Sequence, residues 1–159
     1  MYKRAQAIIS LTNSFKEELI QRGIEPNKIF VVLNGVDLNF YQPILLKDSS
    51  LINKYSLENK FIVGYIGTHG MAHGLYFILN SISELDSSIH FLFIGDGAQK
   101  KELIKLSNKL ELNNITFLDS KPKSEIDSYI RISDASLVNL IKSEVFENVI
   151  PSKIFENVH

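Results

Sequence analysis

Apolar positions along the chain switch between two periods. Ala5 to Leu11 (AQAIISL) and Ile29 to Leu33 (IFVVL) are short apolar runs that predict strands, while Phe15, Leu19 and Ile20 between them recur at helical spacing. Ser14 to Glu17 (SFKE) has the form of a capping box, a hydroxyl accepting from the N3 amide and a glutamate reaching back, and Gly23 closes the helix. From Phe61 the alternation becomes regular. FIVGYI (61–66), HFLFI (90–94), ITFL (115–118) and ASLVNL (135–140) read as strands. Between them lie three helical faces, formed by Leu75, Ile78, Leu79, Ile82 and Leu85, then Leu103, Leu106 and Leu110 in a helix over about 99–110, then Ile126, Tyr129 and Ile130. Four apolar strands alternating with amphipathic helices imply βαβ units and a parallel sheet covered on both faces. The predicted fold class is α/β, a Rossmann-like doubly wound parallel sheet.

Gln42 to Lys60 holds Pro43, paired serines and weak periodicity, which reads as a linker with a short helix. This separates residues 1–42, 43–60 and 61–159. The strand, helix and strand of 1–42 are too small to bury their own faces. At the other end Pro151 and Ser152 open a helix, with Ser152 as N-cap and Ile154, Phe155 and Val158 as its apolar stripe. Both features lead to the expectation that the sequence is a fragment of something larger.

Composition narrows the function classes. Of 159 residues 45% are hydrophobic and 22% charged, an ordinary globular balance, and a net charge of −1 leaves no electrostatic footprint for nucleic acid. The absence of cysteine removes disulfides, thiolate catalysis and cysteine-ligated zinc, and is compatible with the cytoplasm. The apolar run in MYKRAQAIISLT is too short for a signal-peptide core or a membrane span, so a cytoplasmic protein, at most peripheral to a membrane, is expected.

In open α/β sheets ligands bind beyond the carboxyl ends of the strands, where amides at helix N-termini favour phosphate. Three turns have that address: Gly67-Thr68-His69-Gly70, Gly95-Asp96-Gly97, and Pro151-Ser152-Lys153. The spacing of Gly67, Gly70 and Gly74 is not GxGxxG, and there is no Walker lysine. These glycines either admit a ligand to the backbone or serve only tight turns and close packing. His69 and His73, four apart, would share a helix face like a metal pair, yet a third ligand is missing, and His69 can instead donate to a phosphate or a sugar hydroxyl. Asn34-Gly35 is a favoured turn dipeptide. Lys153 and Glu156, three apart, form a surface ion pair or line the crevice as cation and carboxylate.

Taken in order, these stretches resemble the retaining GT-B glycosyltransferases of glycosyltransferase family four. AIISLTNSFKEELIQRGIEPNKIFVVLNGVD is similar to the tail of the N-terminal acceptor domain, NGVDLNFYQP to the entry into the linker, and FIVGYIGTHGMAHGL, FLFIGDG and VIPSKIFE to the donor-nucleotide domain. PSK before the glutamate resembles the branch that transfers N-acetylated amino sugars such as N-acetylfucosamine. The resemblance implies that Gly67, Thr68, His69 and Gly70 wrap a diphosphate, that Gly95, Asp96 and Gly97 border the donor, and that Glu156 binds the ribose. Ser152 and Lys153 sit at the helix start, with Lys153 as the phosphate cation. Where many members carry a second glutamate this chain has Asn148, beside Glu147. The implied reaction moves a sugar, an N-acetylated amino sugar, from a UDP-sugar donor to a lipid-linked saccharide in surface polysaccharide synthesis. No metal or cofactor is implied, and no catalytic residue is assigned. A fragment of this kind is expected to be weak or inactive alone, needing a complementing chain or associating with itself. A non-catalytic nucleotide-binding or assembly remnant is the alternative, and a sugar-nucleotide epimerase of the same two-domain architecture a third reading.

Overall fold

Two units make up the computed structural model, Met1–Phe40 with Lys142–Val158, and Tyr41–Ile141. The described residues are 2–35, 46–144, 146–147 and 149–156. Val36 and Asp37 of NGVD, the rest of the stretch through Pro43, Asn148, Val158 and His159 lie outside them.

In the first unit β1 (Ile8–Ser10) pairs in parallel with β2 (Ile29–Val31), Ile8 opposite Ile29. Helix α1 (Asn13–Gln21) connects them, and its N-cap is Thr12 rather than Ser14. Thr12 is extended (φ −143°) and its Oγ1 accepts from the Phe15 amide at 3.1 Å, so N3 is Phe15 and no SFKE capping box forms. At the other end the amides of Gly23 and Ile24 close back on Ile20 O and Leu19 O, the Schellman pattern expected of a C-terminal glycine. Ile8, Leu19, Ile24 and Ile29 bury one face of the pair, while Ile9 and Phe30 are exposed on the other.

The second unit opens with α2 (Ser49–Lys54), capped by Asp48, whose Oδ1 accepts from the Ser50 and Leu51 amides. Four strands follow: β3 (Phe61–Ile66), β4 (Ile89–Ile94), β5 (Ile115–Leu118) and β6 (Ala135–Ser136). They form one parallel sheet in the order β5-β4-β3-β6. The predicted alternation explains its two coats. Phe91 and Phe93 of β4, with Tyr65 of β3, pack against α3 (Leu75–Ile82) and α4 (Lys100–Lys109) through Leu75, Leu79, Ile82 and Leu103. Leu92 and Ile94, with Ile62, pack instead against Leu57, the α2 residues Leu51 and Ile52, and Tyr129 and Ile132 of α5 (Lys123–Ile132). The doubly wound sheet is therefore present, and its order reverses beside β3, where open α/β sheets place their ligands.

Two expectations need correction. Leu85 lies beyond the end of α3 and is exposed. ASLVNL pairs with β3 only at Ala135 and Ser136, because the chain then leaves the ladder: Leu137 N still donates to Gly64 O (2.7 Å), but Ile141 N bonds Ala72 O (2.9 Å) and Asn139 bonds His73. No helix among the described residues is long and apolar enough to cross a membrane.

His90, buried on β4, sits with Nε2 2.9 Å from Thr116 Oγ1 on β5. Burial, helped by the Lys60 charge, holds its imidazole below the ordinary value. The unfolded chain therefore takes up a proton near pH 6.5 while the folded chain resists it, so stability is full above that pH and is lost as pH falls toward the native value. Melts between pH 7.5 and 5.5 should show the native chain losing stability that His90→Gln does not lose. Parallel pH profiles for the two proteins would contradict this.

Candidate functional site

The loops leaving β3 and β4 are built against one another. Gly67 N donates to Ile94 O (2.9 Å), His69 N to Asp96 O (2.8 Å), Gln99 N to His69 O (3.0 Å), and Gly95 N crosses to Leu118 O at the end of β5 (3.2 Å). Gly95, at φ +145°, lies so close to its neighbour that a Cβ there would meet Gly67 O at 2.0 Å, and a Cβ on Gly97 would meet His69 O at 2.6 Å. The first task of these two glycines is thus to let one backbone lie on another. Gly70 differs, since its Cβ would find only Thr68 Cγ2 at 3.5 Å.

Beyond the strand ends is a cleft of about 270 Å³. Ile66, Ile94 and Ile126 are its apolar lining, and Gly67, Thr68, Gly95, Asp96, Ser120 and Lys121 line the rest. Asp96 Oδ1 accepts from the Gly97 amide at 2.7 Å, which fixes that turn. Lys121 brings the positive charge, its Nζ standing 5.8 Å from the centroid of the Tyr129 ring. Neither Ser120 nor Lys121 was among the sequence candidates. Their signal was available, because they follow directly on ITFLD at the carboxyl end of a predicted strand, the address used for the other turns.

His69 stands elsewhere than expected. Its side chain is 0% exposed, with ring centroids 5.8, 6.2 and 6.1 Å from those of Tyr65, Phe93 and Phe117. The imidazole belongs to the aromatic core under the loop, so phosphate or sugar contact through the ring is withdrawn, and His69 supports the site through its backbone. Tyr65 reinforces the same loop, its hydroxyl donating to Thr68 O at 2.7 Å, and burial pushes its phenol well above the usual value. His69 and His73 share no helix face: only His73 is in the short turn Met71–His73, with Nδ1 3.2 Å from Asn139 O.

The structure brings Gly67, Thr68, Gly95 and Asp96 together in the cleft. Ser152, Lys153 and Glu156 belong to the first unit, in and just before α6 (Lys153–Glu156), where Phe155 N bonds Ser152 O at 3.0 Å. Glu147 is exposed.

A family model for glycosyl transferases group 1 matches residues 48–149. An Escherichia coli (strain K12) protein named as a colanic acid biosynthesis glycosyl transferase, WcaI, is 24% identical over 134 residues, 82% of this chain and 33% of that one. A Campylobacter jejuni N-acetylgalactosamine-N,N'-diacetylbacillosaminyl-diphospho-undecaprenol 4-alpha-N-acetylgalactosaminyltransferase is 27% identical over 119 residues, 74% of this chain and 31% of that one. Among solved structures, Anabaena Alr3699/HepE in complex with UDP-glucose superposes with a TM-score of 0.73 at 23% identity, over 84% of this chain and 38% of that one. The chain spans about a third of the length of the curated relatives it matches.

Proposed function

Since the chain belongs to the glycosyl transferases group 1 family, we propose that its second unit holds the nucleoside diphosphate of a sugar donor in the cleft beyond β3, β4 and β5. The observation that carries this reading is the make-up of the cleft, whose lining combines three isoleucines suited to a base with glycine-turn backbone and Lys121 suited to phosphate. In transfer the bond from the anomeric carbon to the diphosphate oxygen breaks through an oxocarbenium-like state, and groups that meet the charge growing on the diphosphate lower the barrier. Uracil is the proposed base, supported by the UDP-glucose bound in the Anabaena structure. An N-acetylated amino sugar as cargo and a lipid-linked saccharide as acceptor are supported by the Campylobacter relative's name. Retention of configuration rests on the resemblance alone, as do the donor-binding roles of Ser152, Lys153 and Glu156. A lipid-linked acceptor would bring the protein from the cytoplasm to the inner face of the plasma membrane. Because the chain spans only about a third of those relatives, sugar transfer by it alone is proposed to be weak or absent, with donor binding retained.

The test is thermal unfolding with millimolar UDP, GDP or ADP. A ligand at 100 times its dissociation constant stabilises by about 2.7 kcal/mol, a rise of several degrees for a chain of this size. UDP alone is expected to produce it. A cooperative melt that no nucleotide moves would contradict the proposal.

A further inference from the structure

Lys100, the first residue of α4, is only 8% exposed. Its Nζ donates to Gly95 O at 2.8 Å, to Leu118 O at 2.9 Å and to Asp119 Oδ1 at 2.6 Å. An ammonium has three donors, and all three are engaged. One carbonyl follows β4 and the other ends β5, so a single cation ties the two strand ends together beside the cleft. Burying a charge is costly, and the same space could be filled by an apolar side chain at little loss of stability. What the ammonium adds is direction.

A trans peptide points its C=O and the following N–H in opposite directions, and the chain has no cis peptide bond. With Gly95 O turned toward Lys100, the Asp96 amide is turned away from it, where Asp96 lines the cleft. Leu118 O, which also accepts from Gly95 N just after β4, meets the ammonium from the neighbouring strand and serves as its second anchor. The geometry points to Lys100 as a positioning residue: by pinning the carbonyl of Gly95, with Leu118 O as its second anchor, it aims the amide of Asp96 at the diphosphate of the donor. Unlike Lys121, it does not line the cleft itself. Without the pin, the peptide after Gly95 is free to turn its carbonyl toward the anion, because glycine tolerates either orientation. This inference rests on the donor-binding reading above.

Calorimetric titration of the full chain with UDP and with uridine tests it, since the ratio of the two affinities isolates the diphosphate. Lys100→Met is expected to lose at least about tenfold in UDP affinity while uridine changes by less than about twofold, so the ratio collapses. Lys100→Arg, which keeps charge and several donors, is expected to restore most of the ratio. A merely structural role would weaken both ligands in step. Should Lys100→Met fail to melt cooperatively, Lys100→Gln, whose amide reaches one carbonyl, goes through the same comparison and is expected to show an intermediate ratio. A folded variant with the native ratio overturns the role of Lys100 alone. Native protein that binds no UDP removes the donor reading, and this inference with it.

Discussion

Gly95→Ala is expected to cost about 3 kcal/mol or more and to lower the melting temperature by roughly 10 °C. The added Cβ would stand 2.0 Å from Gly67 O and 2.9 Å from Gly67 C, and a φ of +145° is one that alanine adopts only under strain. Neither obstacle is a side chain that can rotate away; relief requires the two loops to part, which also breaks the bonds from Gly67 N to Ile94 O and from His69 N to Asp96 O. Gly70→Ala is the control. Its Cβ meets one methyl at an ordinary 3.5 Å, so a change below about 1 kcal/mol is expected. Melting curves followed by circular dichroism compare them, and equal melting temperatures would mean that the loops are not interlocked.

Ser120→Trp is expected to reduce UDP affinity at least about 100-fold, equivalent to about 2.7 kcal/mol, while leaving the fold intact. Ser120 is exposed and lines a cleft of about 270 Å³, so an indole there takes the volume that a base or diphosphate needs without entering the core. Ser87→Trp provides the comparison, because Ser87 lines a separate depression of about 190 Å³ with Leu110, Glu111 and Asn113, below the amino end of β4. Titration should show native affinity for Ser87→Trp. Unimpaired binding by folded Ser120→Trp would place the nucleotide elsewhere.

The sheet was legible because β4 is apolar on both faces, as a central parallel strand must be, and the helices between strands repeat at 3.6 residues. What escaped the sequence depended on contacts between distant segments. ASLVNL has the apolar look of a full strand, but its pairing is cut short by bonds from Asn139 and Ile141 to the turn at 71–73. Thr12 and Ser14 both offer a capping hydroxyl, and the cap goes to the residue whose backbone is extended. His69 looked like a ligand because it stands among glycines; its ring instead completes an aromatic layer whose other members come from three strands, and no local pattern records that. Lys121 and Lys100 belong to no motif in the sequence. Only the convergence of the ends of β3, β4 and β5 makes one of them a cleft cation and the other a buried tie.

The most direct test of the donor cleft is an NMR titration of the uniformly ¹⁵N-labelled chain with UDP. Amide shifts are predicted to concentrate at Gly67, Thr68, Gly95, Asp96, Ser120 and Lys121, the residues that line the cleft. Shifts clustering instead around Ser83, Glu111 and Asn113, or a spectrum that saturating UDP leaves unchanged, would contradict the account.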